Sequence, residues 1–134
     1  MKKRVAINGF GRIGRILFRE LIKDRNIEIV AINASVMPDE LAYLIKYDSV
    51  HGEFDGVVRA KEGMIVCNNK KVLTIDERDA SKLPWKKMKI DCVLECTGAY
   101  TKLEDAMSHI RAGAKSVIIS APGKGDMKTI VLEI

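Results

Sequence analysis

The sequence predicts an α/β protein, a doubly wound and mostly parallel sheet carrying a small antiparallel insert. Three observations predict it. Short β-branched strands alternate with helical stretches along most of the chain. A glycine-rich turn joins the first strand to the first helix, the signature of a βαβ unit. Between residues 57 and 75 that rhythm gives way to brief apolar runs separated by turn residues.

The elements follow in order. "RVAIN" (Arg4 to Asn8) is a β-branched strand, and the helix after it presents Ile13, Ile16, Leu17 and Leu21 on one face at helical spacing. "IEIVAIN" (Ile27 to Asn33) is almost wholly apolar, as a strand covered on both faces should be. Pro38, Asp39 and Glu40 open a second helix, with proline in the first turn and acids at the positive end of its dipole. Its apolar face is Leu41, Leu44 and Ile45.

"VVRA", "MIVC" and "KVLTI" then read as short strands divided by Glu62-Gly63 and Asn68-Asn69. The βα rhythm returns at "DCVLECTG" (Asp91 to Gly98). A helix with Leu103, Ala106, Met107 and Ile110 on one face follows, closed by Ala112-Gly113; His109 on it is expected toward solvent. "SVIIS" is the next strand, broken by Ala121-Pro122-Gly123, and "TIVLEI" is the last.

At 134 residues the expectation is one domain, residues 1–134, with an ordinary composition for a folded chain. No apolar run approaches the roughly 20 residues that span a bilayer, and no charged-then-apolar leader follows Met1, so a cytoplasmic protein without membrane contact is expected. The net charge of +5 is spread along the chain, with one tight group at Lys86, Lys87 and Lys89. Stacking aromatics are sparse, which argues against nucleic acid and for a solvated basic face. Cys67, Cys92 and Cys96 are too few and too irregularly spaced for a disulfide framework or a zinc site.

Gly9, Gly11 and Gly14 form G-x-G-x-x-G between a strand and a helix, the context in which that motif cradles a dinucleotide pyrophosphate. Gly9 permits the tight turn, Gly11 lets backbone approach the phosphates, and Gly14 allows close packing of the helix. The free N–H groups near Arg12 and Ile13 then face the anion. NAD-binding folds place an acid about twenty residues further on, where it holds the ribose hydroxyls. Counting on reaches Ala34, not an acid, with Ser35 beside it. Removing the carboxylate removes its repulsion of a 2′-phosphate, so NADP is the expected cofactor and NAD the weaker one. The alternative is that Ala34 only deletes a hydrogen bond and both bind poorly.

The motifs "VAINGFGRIGR", "KYDSVHG", "ERD" before "LPW", "ECTG" and "AGAKSVIISAP" occur in the order and spacing of the phosphorylating glyceraldehyde-3-phosphate dehydrogenases. The chain resembles the N-terminal, Rossmann-type dinucleotide-binding domain of that family from Arg4 to about Leu132. The resemblance implies a cofactor site at Gly9, Phe10, Gly11, Arg12 and Ile13 beneath the pyrophosphate. It implies further contacts from Asn33, Ala34 and Ser35 near the ribose and Arg78 at the adenosine end. Thr97, Gly98 and Tyr100 would lie near the middle of the cofactor, and Ser120 and Ala121 at a turn beside the nicotinamide. Ala34 in place of the family's acid resembles its NADP-using members.

In that family a cysteine attacks the aldehyde, hydride passes to the nicotinamide, and phosphate releases the acyl group. The motifs carrying that cysteine and its histidine base do not occur in these residues, and Glu133 stands where the family usually has glycine. The expectation is a cofactor-binding half that is catalytically incomplete by itself. Of the cysteines only Cys96 lies near the expected site, and a small buried residue is the better reading of it. His51 is expected in a packing or subunit-contact role. The family forms homotetramers, whereas this chain is expected to be a monomer or weak oligomer. Two rivals stand beside this reading, a fragment of the sister enzyme acting on erythrose 4-phosphate and a stand-alone nucleotide-binding module.

Overall fold

The structure, a computed structural model, describes residues 2–47, 52–97, 103–122 and 127–133, with side chains described through 2–47, 52–97 and 106–119. Its strands are β1 (Lys3–Asn8), β2 (Ile27–Asn33), β3 (Val58–Lys61), β4 (Met64–Cys67), β5 (Lys70–Ile75), β6 (Cys92–Glu95), β7 (Ser116–Pro122) and β8 (Met127–Glu133). Helices α1 (Arg12–Leu21), α2 (Pro38–Lys46) and α3 (Leu103–Arg111) connect them. All eight strands form one sheet in the order β3-β4-β5-β2-β1-β6-β7-β8. β5, β2, β1, β6 and β7 run parallel, while β3, β4 and β8 are antiparallel to their neighbours. From β1 the chain crosses to β2 on one side and β6 lies on the other. The β1/β6 boundary is therefore a topological switch point, where open α/β sheets bind ligands.

The insert is made by two tight hairpins. Lys61 pairs with Met64 and Cys67 with Lys70, so each loop has two residues. Glu62, Gly63, Asn68 and Asn69 all have positive φ, the left-handed geometry whose twist matches paired strands. Asparagine tolerates it readily. β5 then returns parallel to β2, so the insert widens the sheet.

Both faces are covered. Val5 and Ile7 of β1 point toward α1 and α2, where Phe18, Ile22, Leu41 and Ile45 form one core. Ala6, Ala31, Val93 and Val117 point the other way, toward Trp85, Ile90 and Ala106. The pairing of β1 with β2 shifts by one residue at Val30, a bulge that turns Ile29 and Ile32 to the same face. Ile16 departs from expectation: the face of α1 buried in the sheet centres on Gly14 and Phe18, leaving Ile16 half-buried at the rim. β7 also departs, running on through Ala121 to Pro122. β8 pairs with it residue by residue back to Met127, and Pro122 takes the strand's end, where a missing N–H costs least.

Asp91 fastens β6 to the edge of β1. Its Oδ2 accepts the Arg4 amide N–H at 2.9 Å, and its Oδ1 lies 3.4 Å from Lys115 Nζ. The Arg4 N–H holds the carboxyl below the usual carboxylate range, with partial burial opposing and Lys115 adding a weaker pull. A depressed folded value stabilises the fold above the unfolded value, near pH 4, and that stability is lost as pH falls through the folded value. Asp91→Asn should cost about 1 kcal/mol at pH 7, after discounting for its partial exposure. Urea melts at pH 7 and pH 3 check this, since the gap between variant and wild type should shrink at the lower pH.

Candidate functional site

A cleft of about 490 Å³ opens beyond the carboxyl ends of β1, β2, β5 and β6. Gly9 and Gly11 form one wall, Asn33 to Ser35 another, and Arg78 and Thr97 close the sides. Each glycine has a distinct geometric reason. Gly9 has φ +93°, and a Cβ there would lie 2.5 Å from Thr97 Cγ2 and 2.8 Å from Thr97 N. A Cβ on Gly14 would lie 2.5 Å from the Gly9 carbonyl oxygen, so the third glycine lets α1 pack on the turn itself. Gly11 faces open space, with no atom within 4 Å of a Cβ. It is also the N-cap of α1, which has no side-chain cap and no acid in its first turn. Backbone N–H groups and a positive dipole end are thus presented beside the cleft, an arrangement suited to an anion.

A buried polar network underlies the cleft floor. Glu95, at the end of β6, is 1% exposed. Its Oε2 accepts the Thr97 N–H at 2.9 Å and the Thr97 hydroxyl at 2.6 Å. Its Oε1 accepts from Asn8 Nδ2 and from His109 Nε2. Trp85 Nε1 lies 3.0 Å from His109 Nδ1. An indole N–H only donates, so Nδ1 accepts and the His109 proton is on Nε2, facing Glu95. The 3.4 Å separation of Asn8 Nδ2 and His109 Nε2 is that of two donors converging on one oxygen. On the other side Asn8 Oδ1 accepts from Asn33 Nδ2 at 2.7 Å. The Asn33 amide in turn clasps Glu77, donating to its carbonyl at 2.7 Å and accepting its N–H at 2.8 Å.

His109 is therefore corrected: it is fully buried, not solvent-facing. It sits one turn after Ala106, on the buried face of α3, because Trp85 and Glu95 satisfy both ring nitrogens. Asn8, Glu95 and Trp85 were not singled out by sequence reasoning. The available signal was a glutamate closing an apolar strand, "CVLEC", since a carboxylate inside a sheet requires donors.

The other expected residues fall as follows. Phe10 borders the cleft but is nearly buried, its ring edge-on to Phe18 at 6.0 Å. Arg12 is exposed at the start of α1 and Ile13 packs against the core; neither is a wall of the cleft. Ala34 is half-buried at the end of β2, its N–H donating to the Ile75 carbonyl, while Ser35 and Arg78 are exposed. Asp76 and Glu77 border the same end. Ser120 and Ala121 belong to β7, paired with Thr129 and Lys128, so they form no turn; the antiparallel return of β8 extends the strand through them. Gly98, Tyr100 and His51 lie outside the described residues. Cys96 lies at the cleft, but burial, and secondarily the Glu95 charge, pushes its thiol up to about 12. It stays protonated at neutral pH and is no thiolate nucleophile. Cys67 is likewise pushed up to about 11 by burial.

The comparisons agree with this geometry. Residues 3–103 match the family described as glyceraldehyde 3-phosphate dehydrogenase, NAD binding domain. The chain is 52% identical over 134 residues to "Glyceraldehyde-3-phosphate dehydrogenase 2" of Bacillus subtilis (strain 168), covering all of this chain and 39% of that protein. It is 53% identical over 132 residues to the glyceraldehyde-3-phosphate dehydrogenase of Mycoplasma pneumoniae and 52% identical over 131 to that of Clostridium pasteurianum. Each match covers 98% of this chain and 39% of the relative. The chain thus spans about two-fifths of the length of these curated relatives. Among the described residues no helix is long and apolar enough to cross a membrane. A strand-turn-helix with an uncapped helix start, a cleft at the switch point and a family match over most of the chain converge, and the chain belongs to the glyceraldehyde 3-phosphate dehydrogenase family through its NAD-binding domain.

Proposed function

We propose that residues 1–134 form the dinucleotide-binding domain of a phosphorylating glyceraldehyde-3-phosphate dehydrogenase acting in the cytoplasm, and that its preferred cofactor is NADP. When bound, the nicotinamide accepts the hydride. In this reading the chain's own residues bind and orient the dinucleotide, and the aldehyde-attacking cysteine comes from outside these residues. Gly9, Gly11 and the first turn of α1 hold the pyrophosphate, and Asn33 and Thr97 flank it.

The observation carrying the NADP preference is Ala34 at the end of β2. No carboxylate there opposes a 2′-phosphate, while the Ser35 hydroxyl and the Arg78 guanidinium border the same end of the cleft. Asp76 favours the second reading, NAD: it directly follows the neighbouring strand, borders that end of the cleft, and carries a carboxylate able to accept from ribose hydroxyls.

Calorimetric titration with NADP and NAD at one ionic strength tests both. Tighter NADP binding is the expected result, and Ala34→Asp should weaken NADP at least about tenfold while sparing NAD, because two like charges at contact cost at least that much. NAD preferred by wild type and unaffected by Asp76→Asn would overturn both specificity readings.

A further inference from the structure

The Glu95 network reaches further than the support of one strand. Its donors come from both ends of the cleft and from behind it, and all converge on a single buried carboxylate. The Thr97 N–H and hydroxyl approach from the β6 end. The chain Glu77–Asn33–Asn8 approaches from the end where β2 and β5 finish. His109, oriented by Trp85, approaches from α3. The direction is fixed throughout. Asn8 cannot turn over, since its Oδ1 already accepts from Asn33, and His109 cannot, since its Nδ1 accepts from the indole. Glu95 accepts from Thr97, Asn8 and His109 together, and is the group through which the three branches meet.

Thr97 is what Glu95 holds against the glycine turn. The space that a Gly9 Cβ would need is filled by Thr97 Cγ2, N and Cα, and the Gly9 N–H is tied to the Asn33 carbonyl at 2.8 Å. Moving Thr97 or Asn33 moves the turn. We infer that Glu95 is a positioning residue for the dinucleotide, locking the Thr97 side and the Asn33–Glu77 side of the cleft into one register through a directional buried network. This rests on the dinucleotide reading of the cleft. A bound cofactor then tightens both sides at once, and the effect is carried through Glu95 to His109, which does not itself line the cleft.

Glu95→Gln keeps the size but replaces one acceptor oxygen by a donor, so one pair of incoming donors loses its acceptor. Val93→Ala is the control. Val93 lies two residues earlier on the same strand and face, buried in the same core as Trp85 but apolar and outside the hydrogen-bond network, so it reports packing loss alone. Both variants and wild type are titrated with NADP in the full chain, with circular dichroism to establish folding. A folded Glu95→Gln whose Kd rises at least about tenfold, beside a Val93→Ala Kd within about twofold of wild type, supports the inference. A folded Glu95→Gln with unchanged Kd overturns it. Should Glu95→Gln not fold, the wild-type His109 ring resonances decide. Movement on saturation with NADP supports the relay, and no movement despite measured binding overturns it. Wild type that binds neither NADP nor NAD overturns the dinucleotide reading, and this inference falls with it.

Discussion

Gly9→Ala should abolish dinucleotide binding, raising Kd by at least about 100-fold, and should destabilise the fold by roughly 2–5 kcal/mol. The backbone at Gly9 has φ +93°, a region L side chains rarely adopt, which alone costs about 1–3 kcal/mol. The added methyl also meets Thr97 at 2.5 Å from Cγ2, 2.8 Å from N and 2.9 Å from Cα. Two of those atoms are backbone, and the Glu95 carboxylate holds both the Thr97 N–H and its hydroxyl, so the neighbour cannot yield cheaply. The turn must move instead, taking the phosphate seat with it.

Gly11→Ala separates the two effects. Gly11 is the N-cap with φ −82°, and its Cβ would meet nothing within 4 Å. Stability should change by less than about 1 kcal/mol, as for an N-cap exchange, while the methyl enters the space a pyrophosphate needs. Denaturant melts and titrations of the two variants provide the check. Loss of stability and binding together at Gly9, and of binding alone at Gly11, is the expected pattern. A Gly9→Ala protein with wild-type affinity would remove the turn from the site.

The glycine turn was legible in the sequence because its requirements are local. Positive φ, a missing Cβ and an uncapped helix start all belong to residues 9 to 14. The hairpins were legible for the same reason, Glu62-Gly63 and Asn68-Asn69 being turn chemistry read over two residues. What was not legible depends on partners distant in sequence. His109 looks like a surface residue on an amphipathic helix, because polar side chains usually face water. Trp85 and Glu95, brought together by β6 and the segment before it, make a buried imidazole tolerable. The same holds for Ala121 and Pro122. Alone they read as a strand break, but β8 supplies the partner that keeps them extended. Ala34 lies between these cases: its position was countable from Gly14, whereas Asp76 on its flank follows from β5 lying beside β2.

Trp85→Ala should be the most destabilising single change in the protein. Trp85 is the chain's one tryptophan and is fully buried between α3 and the sheet. Truncating such a side chain costs about 3–5 kcal/mol in lost transfer energy and residual cavity. It also leaves His109 Nδ1 without its donor, a buried acceptor worth about 1–3 kcal/mol more. Against a total stability of about 5–15 kcal/mol, the variant should retain little cooperative folding. Trp85→Phe divides the cost. It keeps most of the apolar volume and removes the N–H, so it should lose about 2–4 kcal/mol and remain folded. Far-UV circular dichroism must follow both melts, because the mutation removes the fluorophore. If Trp85→Phe proves neutral, the indole N–H contributes nothing to holding His109, and its orientation toward Glu95 must come from packing alone. If Trp85→Phe is folded but binds dinucleotide less well, the indole acts on the cleft through His109 and Glu95, since Trp85 itself does not line it.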